Sequence, residues 1–182
     1  MSPFHSLALA DAHNLAIRKL MSRSAYDSLI SPGPPLPNSH PSPAAIAKLY
    51  LHVESGYSSA RSLAKTHSDG DVSSDLRRYL ANEATVALGL AHKWLGVDAG
   101  ESGSRAGHAV AFLKLAKGEL EGLKDAGKKV LLGKGSDNQK PKRNRIANEL
   151  DSVTTFLKNY QKLNDSVRHF EFLMPFLTRY AL

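Results

Sequence analysis

Along most of this chain the apolar residues recur at steps of three and four, the spacing of one helical face, and no segment sustains the apolar-polar alternation of a half-buried strand. A first helix is expected over residues 4–30, with Leu9, Ala12, Ala16 and Leu20 as its inward stripe. Residues 31–43 then carry six of the nine prolines, and proline lacks the N–H that a helix interior needs, so this stretch predicts a loop. Ser42 followed by Pro43 predicts a helix start. The serine oxygen can accept from free backbone amides, and proline loses nothing at the first helical position.

That second helix is expected to reach about His67, with Ile46, Leu49, Val53, Tyr57, Ala60 and Leu63 inward, before a turn at Ser68, Asp69, Gly70 and Asp71. A third carries Leu76, Leu80, Ala84, Ala87, Leu90 and Trp94 and is expected to end at Gly96, leaving a loop to Gly103. The fourth is predicted from near Ser104, burying Ala109, Phe112, Leu113, Ala116, Leu120 and Leu123. A basic, glycine-containing loop is expected over residues 127–142. Ile146, Leu150, Val153, Leu157, Tyr160, Leu163 and Val167 mark a last helix over about 142–170. The fold class is therefore all-α, with about five long helices in antiparallel hairpins forming a TPR-like solenoid or bundle.

Length and composition fit that picture. The 182 residues suit one domain, and 42% hydrophobic against 23% charged residues is the balance of a chain that buries a core. The absence of cysteine removes disulfides, thiolate metal sites and cysteine nucleophiles and agrees with a reducing compartment. Residues 1–20 mix Asp11, His13, Asn14, Arg18 and Lys19 into their apolar run, unlike a signal peptide or membrane span. A net charge of +7 favours anionic partners.

The candidate chemistry is thin. Eight histidines are present, but none forms the pair four residues apart that would put two imidazoles on one helix face, so no metal or other cofactor is expected. Gly133, Lys134, Gly135 and Ser136 imitate part of a phosphate loop. However, Gly127 stands one position too far upstream, no Ser or Thr follows the lysine, and the stretch follows a helix rather than a strand. Glu83, Glu119, Glu121 and Asp165 form no paired carboxylate motif. No catalytic residue is assigned and the chain is not expected to be an enzyme. Lys128, Lys129, Lys140, Lys142 and Arg143 flank the basic loop and are candidates for contact with an anionic surface. They lack aromatic neighbours on which bases could stack, so nucleic acid is a lesser alternative, as is a generic helical structural role.

Several stretches, in order, resemble the C-terminal part of the Bro domain, an ESCRT-associated module. These are Ala44 to Tyr50 continuing to Ala60, Tyr79 to Ala84, Gly107 to Ala116, and Leu157 to Pro175 with Asn164, Asp165 and His169. In the last stretch Ser166 and Arg168 stand where the family carries aromatics, and two residues are inserted. Gly96 to Leu113 resembles most the fungal branch that serves the response to ambient pH. The resemblance covers nearly all of residues 1–182 and begins in mid-domain, since Ser6 to His13 is similar to an internal helix of the family.

What the resemblance implies is a non-enzymatic adaptor that grips the amphipathic C-terminal helix of an ESCRT-III subunit of the Snf-seven class, with other components of pH signalling as further partners. Such grooves read a helix at i, i+3, i+4 and i+7. Carried over by position, Leu7, Asp11, Val153 and Leu157 would form the groove. The expected setting is cytoplasmic and peripheral, at cortical or endosomal membranes. Helix one should also present apolar residues with nothing over them, which predicts self-association or poor solubility.

Overall fold

A computed structural model describes residues 2–25, 33–66, 72–103, 105–131 and 140–177. Side chains are described for all of these except residues 23–25, 125–131, 140–143 and 167–177. Five helices occupy the described residues: α1 (Pro3–Ala25), α2 (Pro43–Thr66), α3 (Ser74–Glu101), α4 (Ala106–Leu131) and α5 (Lys140–Leu177). No strand occurs among them.

Each helix packs chiefly on its neighbours in sequence, and α3, at the centre, also touches α5. Side-chain pairs fix the directions. Gly56 lies against Ala10, and the rings of His13 and His52 lie 4.9 Å apart, so contacts run in opposite senses along α1 and α2 and the two are antiparallel. Arg145 meets Glu83 at 2.9 Å, Lys93 meets Glu149 at 2.7 Å, and Tyr160 meets Glu101 at 2.6 Å. Contacts that advance together along both helices make α5 parallel to α3. The chain therefore runs up and down as successive antiparallel hairpins, the arrangement that long periodic segments with short connections favour.

Local chemistry explains the helix ends. Ser42 accepts from the Ala45 amide through its hydroxyl and from Ile46 through its carbonyl, with Pro43 first in α2. Ser73 caps α3 in an extended conformation, its side chain accepting from the Leu76 amide. The other end of α3 corrects the reading of Gly96. The helix continues through it to Glu101, so the loop expected from Gly96 to Gly103 is mostly helix, and the glycine that closes it is Gly103, at φ 69°. Gly96 is small for another reason. A Cβ there would stand 2.7 Å from Leu113 Cγ, so glycine lets α3 and α4 approach.

Two further expectations shift. In α1 the inward residues are Ala10 and Ile17, flanked by Leu7 and Met21, whereas Leu9, Ala12, Ala16 and Leu20 all face outward. An all-round apolar helix carries two stripes of equal spacing, and packing against α2 selected the other one. The basic excursion is shorter than residues 127–142, because α4 reaches Leu131 and α5 starts at Lys140, with Pro141 tolerated in its first turn. Residues 26–32, 67–71, 132–139 and 178–182 lie outside the described residues, and with them the expected turn at 68–71.

The core forms one continuous cluster. It takes Ile46, Tyr50, Val53 and Tyr57 from α2, Leu80, Leu90, Trp94 and Val97 from α3, Leu113 and Leu120 from α4, and Ile146, Val153, Phe156 and Tyr160 from α5. The stripes of α3 and α4 pack as read, but Leu49 in α2 and Leu163 in α5 are exposed. Val72, just before α3, closes the cluster at one end.

Candidate functional site

The described surface holds a cleft of about 260 Å³ where α1 and α5 converge over α3. Its floor is apolar, made by Val86, Ala87 and Leu90 of α3 with Tyr50 of α2, and Met21 of α1 closes one side. The rims are polar. α1 supplies Asn14, Arg18 and Ser22, and α5 supplies Arg145 and Glu149.

Helical phase places these groups. Arg18 and Met21 lie one turn apart on α1, and Arg145 and Glu149 one turn apart on α5, so each helix offers a two-residue edge to the cleft. Glu83, 4% exposed, sits at the base and accepts from Arg145 Nη2 at 2.9 Å. Burying a carboxylate is costly without a cation to meet it, and the guanidinium supplies one. The Nε of Arg145 is buried without a hydrogen-bond partner. Lys93, 5% exposed, donates to Glu149 at 2.7 Å and lies 5.1 Å from the Trp94 ring centroid. Among the described residues Glu83 thus faces Arg145 and Glu149 faces Lys93, and Arg18 adds a further positive charge to the cleft. Burial pushes the Tyr50 hydroxyl well above its ordinary range, with the Glu149 carboxylate acting the same way, so Tyr50 is a neutral phenol there.

The four residues expected to form a groove do not share one. Asp11 accepts from the Tyr57 hydroxyl at 2.6 Å and from the Tyr79 hydroxyl at 3.3 Å, which ties α1 to α2 and to the start of α3. Leu7, one turn earlier, is half-buried against the core. Leu157, by contrast, lies within a turn of Tyr160, which bonds Glu101 at the far end of α3. Tyr79 and Glu101 belong to one continuous helix, so roughly 30 Å separates the two places. Val153 is 0% and Leu157 7% exposed. Both are core residues, and neither lines the cleft.

The cleft has no single signal in the sequence. Arg18, Glu83 and Arg145 belong to three helices far apart along the chain, and each reads singly as a solvated helix residue. Of the basic residues, Lys128 and Lys129 fall in the last turns of α4 and Lys140, Lys142 and Arg143 in the first of α5, but their side chains lie outside the described residues. Among the described residues no group of three or more His, Asp or Glu could hold a metal ion, and no helix is long and apolar enough to cross a membrane.

Comparison with known proteins finds a relative. The chain is 40% identical, over an alignment of 202 positions taking in 88% of its own length, to the pH-response regulator protein palC of Cryptococcus neoformans var. neoformans serotype D (strain B-3501A). The chain is a PalC-like protein. It spans 41% of that relative's length. No family model and no solved structure matches it. The identity extends over most of the PalC-like chain, so the similarity takes in the successive hairpins rather than one short motif.

Proposed function

We propose that this PalC-like chain is the helical C-terminal part of a Bro domain and acts as a non-catalytic scaffold in a pH-response pathway. In this reading it binds the amphipathic C-terminal helix of an ESCRT-III subunit of the Snf-seven class. It works in the cytoplasm, peripherally at cortical or endosomal membranes, where the basic residues around the connection from α4 to α5 favour anionic headgroups. The relative's name supports the pH-response part. The Bro-domain and ESCRT-III parts rest on the motif resemblances from Ala44 to Pro175.

The observation that carries the binding role is the cleft between α1 and α5. An apolar floor flanked by charged rims suits an amphipathic helix, which would place anchor side chains on Val86, Ala87 and Leu90 and an acidic residue beside Arg18. This moves the proposed contact from Leu7, Asp11, Val153 and Leu157 to Arg18, Met21 and the floor of α3.

Calorimetric titration with a synthetic peptide of the ESCRT-III C-terminal helix tests it. Arg18→Glu combined with Ser22→Glu, both at exposed positions on the cleft rim, should weaken binding by at least about tenfold, or 1.4 kcal/mol, with the circular-dichroism melt little changed. Equal binding by the double variant and the unaltered chain removes the cleft as the contact. No measurable binding by the unaltered chain removes the ESCRT-III reading itself.

A further inference from the structure

Four tyrosines have described side chains, and three of them donate to a carboxylate: Tyr57 and Tyr79 to Asp11, and Tyr160 to Glu101. The fourth, Tyr50, is 2% exposed, lines the cleft between α1 and α5, and makes no hydrogen bond through its hydroxyl among the described residues. A buried hydroxyl without a partner costs free energy that a ligand oxygen can recover. Arg18, exposed on the rim of the same cleft, likewise makes no hydrogen bond or ion pair among the described residues.

The charges around the cleft set what that oxygen belongs to. Glu83 takes Arg145 at 2.9 Å and Glu149 takes Lys93 at 2.7 Å, so neither carboxylate is given to the phenol. Burial holds the proton on Tyr50 and the Glu149 charge reinforces it, which keeps the phenol a donor, while the charges of Arg145 and Arg18 reach the same oxygen and favour an anion beside it. A neutral phenol and an open guanidinium both donate, and a carboxylate has one oxygen for each. A phosphate dianion fits less well, because Glu83 and Glu149 meet it as like charges.

We infer that the cleft holds a carboxylate subsite, in which an acidic side chain of the partner helix accepts from the Tyr50 hydroxyl through one oxygen and pairs with Arg18 through the other. The inference rests on the helix-binding reading of the cleft and adds what that helix must carry. Its mark is an aspartate or glutamate with an apolar residue three or four positions away, the spacing that sets both on one face. The apolar residue rests on Val86 and Leu90 while the acid reaches the phenol. At about 260 Å³ the cleft takes side chains rather than the helix backbone itself.

Hexanoate and its uncharged amide, hexanamide, titrated into the isotope-labelled chain, probe the subsite without any peptide. Hexanoate should shift the backbone amide resonances of Arg18, Val86 and Leu90 and bind at least about tenfold tighter than hexanamide. Tyr50→Phe with Arg18→Gln should abolish that preference and leave the circular-dichroism melt unchanged, since neither side chain has a hydrogen-bond partner to lose. Equal binding of the two probes, or a preference that survives the double variant, overturns the inference. The ESCRT-III peptide, with each acidic residue replaced in turn by its amide, probes the partner. One replacement should weaken binding to the unaltered chain at least about tenfold and have no further effect on the double variant. A peptide that binds with every acidic residue dispensable also overturns the inference. A peptide that fails to bind while hexanoate binds as expected removes the ESCRT-III reading and leaves the carboxylate subsite standing.

Discussion

Tyr160 closes the far end of the helical array by covering Gly100: its ring fills the space where a side chain at that glycine would sit, and its hydroxyl donates to Glu101 Oε1 at 2.6 Å. Glu101 Oε2 in turn accepts from the Leu36 amide at 3.3 Å, fastening the proline-rich segment to the end of α3. One aromatic side chain therefore links α5, α3 and the connection before α2.

Gly100→Ala should consequently destabilise the fold although alanine is the better helix former. The new methyl group meets the Tyr160 ring and displaces it, an overpacking cost of about 1–3 kcal/mol, which exceeds the roughly 1 kcal/mol gained in helix propensity. Gly118→Ala in α4, where nothing lies within 4 Å of an added Cβ, has only the gain and should stabilise. Urea melts of the two variants should shift in opposite directions.

Lys93 and Glu149 should behave as a partly buried pair, with the ammonium nearly enclosed and the carboxylate on the cleft rim. Glu149→Leu leaves a nearly buried ammonium without its 2.7 Å carboxylate, and a loss of about 3 kcal/mol is expected. Adding Lys93→Met should restore most of it, because two apolar side chains of similar volume pack where two charges stood. A double-mutant cycle in chemical denaturation reads the difference.

Alkaline pH should unfold the protein through its tyrosines. Burial, reinforced by the Asp11 carboxylate, raises the Tyr57 hydroxyl far above its ordinary 10.0, and burial with Glu101 does the same for Tyr160. Tyr79 is pushed up to about 12, first by burial and then by the Glu83 and Asp11 charges. A raised value means that the folded state holds the proton longer, so this stability is complete below pH 10 and falls as pH rises from there through the folded values. For Tyr79 the window runs from 10 to about 12. Tyrosinate absorbance should lag behind that of a denatured control across this range, and Tyr57→Phe should flatten the decline in stability.

Asp11 should matter to stability more than to partner binding. Its carboxylate joins Tyr57 and Tyr79, so Asp11→Ala removes a 2.6 Å acceptor from the hydroxyl of buried Tyr57 and should cost about 1–3 kcal/mol. Peptide affinity, measured at a temperature where the variant is fully folded, should stay within about twofold, or 0.4 kcal/mol.

Much of the fold is legible in the residues. The start of α2 at Pro43 and the stripe from Leu80 to Trp94 follow from capping chemistry and from a period that only a helix satisfies. Both are local, and no distant contact is needed to settle them. The face of α1 was a different matter. With Ala, Leu and Ile spread around the whole helix, Leu9 and Leu20 carry the same pattern as Ala10 and Ile17, and nothing in the pattern names the inward pair. The candidate site was less legible still. A stripe predicts burial, so Val153 and Leu157 read equally well as core and as groove, whereas Arg18 and Arg145 carry no periodic signal at all.

The sequence by itself determined that this chain is a series of long helices, approximately where they begin, and that it is related to PalC, because periodicity, capping and identity reside in the order of the residues. Only the tertiary structure decided which face of α1 turns inward, why α3 passes through Gly96 and runs on to Glu101, and that Arg18, Glu83 and Arg145 meet around one cleft. Those outcomes depend on which surfaces exclude water together and which charges must then be paired, and both are properties of the packed helices rather than of any one segment.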